Sequence, residues 1–221
     1  MTDRDTGPNR DGRDAPPAAV AITAGAALFN EGRFVAAREV WSGVRRPPDG
    51  DESDDGERLR RGLAAAAAAA HRALEDDPSE GAERADDALA ALASVGDSRG
   101  VALAPVREWA ERLASTPIDP DPATAPRIRV DGEAPTFDGL PLAAAGIAAP
   151  ALARAGDPGD PEALASAADF AREERGTGRT VFSELLFAYL RTPDARPQVA
   201  ARLSDRVDRE ERRRRDVEGL F

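Results

Sequence analysis

The chain has 221 residues, a net charge of −11 and an isoelectric point near 4.7. It contains no cysteine, which excludes disulfides, thiol nucleophiles and Cys-ligated zinc. All 30 basic residues are arginine. An acidic, lysine-free surface of this kind looks like that of a protein from a halophilic archaeon. Dense carboxylates keep such a surface hydrated, and molar salt shortens the screening length to roughly 3 Å, so self-repulsion costs little there.

Residues 1–16 are charged and rich in Pro and Gly, and read as a disordered polar tail rather than a signal peptide. A helical pattern covers 17–30 and stops at Asn30 and Gly32. A second covers 34–45, with Phe34, Ala37, Val40, Trp41 and Val44 on one face. A third covers 57–75 along the stripe Leu59, Leu63, Ala66, Ala70 and Leu74. Its alanine run, 64–70, has high helix propensity and lets neighbouring backbones come close. Asp77-Pro78 opens a fourth helix over 79–95, and a fifth follows over 102–115 around Val106, Trp109 and Leu113.

Residues 116–160 read as a Pro/Gly-rich linker. It holds one small hairpin at Asp131-Gly132 and an apolar, alanine-rich segment over 140–154. Three further helices are expected over 161–175, 180–191 and 195–216. The expectation is therefore an all-α protein. Helical hairpins form a domain over 17–115, a smaller helical region occupies 161–221, and at most one short β-hairpin is present. The longest apolar runs, 63–70 and 139–153, fall short of the roughly 18–20 residues a membrane span needs. A cytoplasmic protein without a membrane partner is expected.

The stretch LFNEGRFVAAREVW, residues 28–41, has the Gly, aromatic and Ala spacing of a helical-hairpin turn. No period near 34 residues recurs, so a solenoid is not expected. Asn30-x-Gly32-x-Phe34, then Ala37-x-Glu39-Val40-Trp41, then Gly62-Leu63 leading to His71, resembles the helical family known as domain of unknown function 309. The likeness spans about residues 20–95 and implies an all-α fold with no established activity. Three polar positions of the family pattern are replaced here by Ala36, Arg38 and Ala65. Phe29, Asn30, Gly32, Phe34, Ala37, Glu39, Gly62 and His71 match. That implies retained packing and a lost or altered polar site.

His71 is the only histidine. It reads either as a general base or ligand near Glu39, or as a flanking residue that hydrogen-bonds to the second helix, and the second reading is favoured. Arg38 and Glu39 read as a covering side chain and a structural ion pair, with Arg61 or Arg72 as the partner of Glu39. Asp51-x-Ser53-x-Asp55-Gly56 imitates the opening of a calcium loop, but its twelfth position is Gly62 rather than Glu. Gly176-Thr177-Gly178-Arg179-Thr180 lacks the lysine of a phosphate loop and reads as a turn with Thr180 as N-cap. The arginine run 212–215 is surrounded by acids, so intrahelical pairing is expected rather than nucleic-acid binding.

No cofactor and no metal is expected. The sequence leans against an enzyme. It favours a structural or protein-interaction module that pairs with a protein partner or a second copy, through alanine-rich faces and exposed apolar ends. The alternative is an enzyme or small-ligand binder with a pocket between the first helices, lined by Asn30, Arg38, Glu39 and His71.

Overall fold

The computed structural model describes residues 18–43, 54–75, 77–115, 125–175 and 180–218. The stretch 1–16 read as a tail, Val44, Asp51 and Ser53, most of 116–126 and Gly176 to Arg179 lie outside them. Among the described residues the chain is all-α and forms nine α-helices. These are α1 (Ala18–Asn30), α2 (Phe34–Gly43), α3 (Asp54–Leu74), α4 (Pro78–Ala93), α5 (Leu103–Ser115), α6 (Leu142–Arg154), α7 (Pro161–Glu173), α8 (Val181–Arg191) and α9 (Arg196–Glu218). Consecutive helices from α1 to α5 pack as neighbours, and α3 against α4 is the most extensive pairing.

The α1–α2 corner follows from its sequence. Gly32 has φ +70°, the left-handed conformation that glycine adopts without penalty. The Arg33 amide donates to Leu28 O (2.8 Å) and the Gly32 amide to Phe29 O (3.0 Å). This is the paired closure of a helix C-terminus that needs a residue at positive φ. It brings Phe34 edge-on to Phe29, with ring centroids 4.9 Å apart.

Trp41 then lies flat on α1 at Gly25, where a Cβ would sit 2.3 Å from its ring. Gly25→Ala is therefore expected to cost about 1–3 kcal/mol by overpacking, read as a lower urea midpoint at unchanged slope. An unchanged midpoint would show that the two helices part without penalty.

The alanines of α3 are consumed inside the chain. Ala66, Ala67, Ala69 and Ala70 are fully buried, and Ala64 and Ala68 nearly so. Helices α2 and α4 occupy these faces. Leu74, placed on the buried stripe by periodicity, is 52% exposed, whereas its neighbour Ala73 is buried.

The largest departure lies at 142–154. The segment read as part of a linker is the buried helix α6, packed on α1 and α2 on one side and on α7 and α8 on the other. Its interior Pro150 removes one backbone bond, to residue 146. Burial of Ala144, Ala145, Ala148, Ala149 and Leu152 holds the helix together despite that loss. At Gly146 the backbone lies so close to α7 that a Cβ would meet Ala168 at 2.8 Å. The C-terminal helices thus reach the first five through α6, and α9 covers α7 and α8.

The expected hairpin shrinks to one tight turn. Val130 and Glu133 exchange both backbone hydrogen bonds (2.8 and 3.1 Å) around Asp131 and Gly132, both at positive φ. Ala102 and Asp131 tie this turn to the loop before α5.

Asp55, part of the stretch that imitates a calcium loop, lies in the first turn of α3. It accepts from the Asp97 amide (3.2 Å) and pairs with Arg58 (2.8 Å). The Arg58 hydrogen bond, with the Asp97 and Gly96 amides, holds its carboxyl below the usual aspartate value.

Candidate functional site

The four residues singled out from the sequence serve three different places. Asn30, the last residue of α1, is an anchor. Its Nδ2 donates to Ile128 O (3.0 Å) and Pro135 O (2.9 Å), and its Oδ1 accepts from the Ile128 amide (2.7 Å). Glu39 faces α6 and pairs with Arg154, Oε1 to Nη1 3.1 Å. Its expected partners are engaged elsewhere: Arg61 with Glu57 (2.7 Å), and Arg72 with Glu75 (2.7 Å) and Glu80 (3.0 Å). Sequence alone does not reach this pair, because Arg154 comes from α6, whose segment reads as linker.

Arg38 and His71 do share one place. Both line a cleft of about 200 Å³ between α2, α3 and α4. Phe34 and Arg38 lie one turn apart on α2, and Ala67 and His71 one turn apart on α3, so each pair shares a helix face. Glu80 and Arg84 repeat that spacing on α4 and complete the wall with Arg72. Sequence reading missed the α4 contribution. The available signal was the 80/84 spacing combined with the short α3–α4 connection, which sets the two helices antiparallel.

His71 does not reach across to α2 as expected. Its nearest acid is Glu75 on its own helix, Nε2 to Oε2 3.5 Å. Arg84 is held by Asp87 (3.0 Å) and lies 3.7 Å from Glu80.

Two other places carry polar chemistry. One is a surface groove of about 430 Å³ along α7, α8 and α9. There Phe170 and Phe182 stack at 5.0 Å, and Arg214 lies 4.4 Å over the Phe170 ring while pairing with Glu173. Of the arginine run, Arg213 pairs within its helix with Glu210, whereas Arg214 crosses to α7. The other is the buried Arg196, whose guanidinium bonds Asp157 (2.7 Å), Tyr189 O (3.0 Å) and Leu190 O (3.2 Å).

Thr180 occupies the N-cap position of α8, but its hydroxyl donates to Glu184 (2.5 Å) rather than capping a backbone amide. Among the described residues, no His, Cys, Asp and Glu cluster of three or more is placed to hold a metal. No helix there is long and apolar enough to cross a membrane.

Fold and site together define a helical array with a small charged cleft. No family model, no curated protein and no solved structure matches the chain.

Proposed function

We propose that the chain is a non-enzymatic protein-interaction module of a halophilic microbe, related through its first hairpin to the domain of unknown function 309 family. One observation carries this reading. Helix α9 spans 23 residues, and its apolar fastening, through Val199, Ala200, Leu203 and Val207, ends at mid-length, beyond which Arg214 reaches Glu173 and Phe170 of α7. From Asp208 to Val217 every residue except Glu210 is exposed. A helix polar all round bridges to something else or depends on charge pairs along its length. This stretch carries both signs of charge and ends on Val217, 51% exposed. It suits a partner with a mixed-charge surface, not a polyanion.

The enzyme reading draws less support, because Asn30 and Glu39 are engaged in holding the fold. The test is affinity capture at molar potassium chloride from a halophilic host, with the full chain and with a chain lacking 208–221. A stoichiometric protein partner that is lost on truncation, while circular dichroism shows the rest still folded, is the expected result. A folded full-length chain that captures no partner, or a partner retained by the truncated chain, overturns the proposal.

A further inference from the structure

The cleft between α2, α3 and α4 has a chemistry that the interaction reading does not use. Its floor is apolar, made by Phe34 and by Ala67 and Ala68 at the point where α3 carries no bulky side chain. Its rim carries three arginines, one glutamate and the only histidine of the chain. Within a molecule of net charge −11, this lining is positive.

The three arginines are not equivalent. Arg72 and Arg84 are held by Glu75, Glu80 and Asp87. Arg38 makes no ion pair or hydrogen bond with any described residue, and it is exposed at the mouth of the cleft. An unengaged guanidinium presents a planar fork of donors that matches a carboxylate. The His71 ring lines the same cleft, and its Nε2 lies 3.5 Å from Glu75 on its own helix, a long contact that a ligand carboxylate would replace.

We propose that this cleft binds a small organic monocarboxylate, its carboxylate on Arg38 and His71 and its apolar body on Phe34, Ala67 and Ala68. The charge count selects the class. Glu80 lines the same cleft, so a phosphate dianion meets a like charge at short range, which is destabilising. A single negative charge meets the one guanidinium left free. The apolar floor favours a ligand with a hydrocarbon body over a bare inorganic anion. The site is independent of α9, so its failure leaves the interaction reading standing, and the reverse.

His71 supplies the readout, since one histidine gives one set of imidazole resonances. Benzoate is titrated into the full chain and the His71 ring signals are followed by NMR, with benzamide as the neutral isostere and inorganic phosphate as the dianion. The expected result is a saturable shift with benzoate and none with benzamide. Arg38→Ala should weaken benzoate binding about tenfold or more, the loss of one charge-assisted bond. Arg38 is exposed, so that variant keeps its fold, which circular dichroism checks. Arg112→Ala, at an exposed arginine of α5, should bind as the parent does. No saturable shift, an equal shift with benzamide, or an Arg38→Ala chain that binds unchanged overturns the site. Phosphate binding more tightly than benzoate overturns the monocarboxylate class.

Discussion

Arg196→Met is expected to destabilise the chain by about 3–5 kcal/mol, the range for removing one partner of a buried ion pair. Only 2% of the Arg196 side chain is exposed, and it satisfies three acceptors at once. Two of them, Tyr189 O and Leu190 O, are carbonyls of the last turn of α8, which have no partner within the helix. The third is Asp157, which lies just past the Gly156 closure of α6. One guanidinium thus joins the ends of α6 and α8 to the start of α9. Without it Asp157 keeps only Arg33, at 3.8 Å.

A fall in melting temperature of roughly 10 °C follows for a chain of this size. The double variant with Asp157→Asn should be less damaged than the sum of the two single changes, because the two residues share one interaction. Additive losses, or a loss below about 1 kcal/mol for Arg196→Met, the level of a surface pair, would show that the cluster contributes nothing of its own.

The same cluster sets an alkaline limit. Burial pushes the Tyr189 hydroxyl up to about 12, with Asp157 adding to the shift and Arg196 and Arg33 opposing it. The neutral phenol is the form the fold accepts. The contribution of Tyr189 is therefore complete below its ordinary value of 10 and is lost as pH rises from there through about 12.

The sequence disclosed what local chemistry dictates. Gly32 ends α1, Asp77 and Pro78 open α4, and Asp131-Gly132 makes its turn, because each requirement is met within a few residues. The stripes of α2 and α5 were legible for the same reason, since a buried face repeats along its own helix. What escaped notice depends on neighbours distant in sequence. Helix α6 carries Gly146 and Pro150, both signals against a helix interior, and only its burial between two layers outweighs them. Once α6 was missed, the Glu39–Arg154 pair was out of reach. Gly25 gave no sign of its role, because only Trp41 lying against it excludes a side chain. In the candidate site, Arg38 and His71 were visible singly. The wall that makes them a cleft comes from α4, and no periodicity within α2 or α3 points there.

Asn30 is where the fold and the site are most easily confused, and its variants separate them. Its amide bridges the end of α1 to both Ile128 and Pro135. Asn30→Ala removes three hydrogen bonds and leaves the backbone of Ile128, a fully buried residue, without partners. The expected loss is about 2–4 kcal/mol, since an orphaned buried group costs more than the bond it had made was worth. Asn30→Asp should be worse at neutral pH. A carboxylate still accepts from the Ile128 amide, but it turns an oxygen toward two carbonyl oxygens that need a donor. Acidification should narrow the gap between the two variants, because a protonated carboxyl regains one donor. Urea unfolding at two pH values measures all of this. The His71 response to benzoate should meanwhile be the same in Asn30→Ala as in the parent, because Asn30 faces 128–135 and not the cleft. A variant with parental stability and no benzoate response would assign Asn30 to the ligand and leave the 128–135 segment to be held by something else.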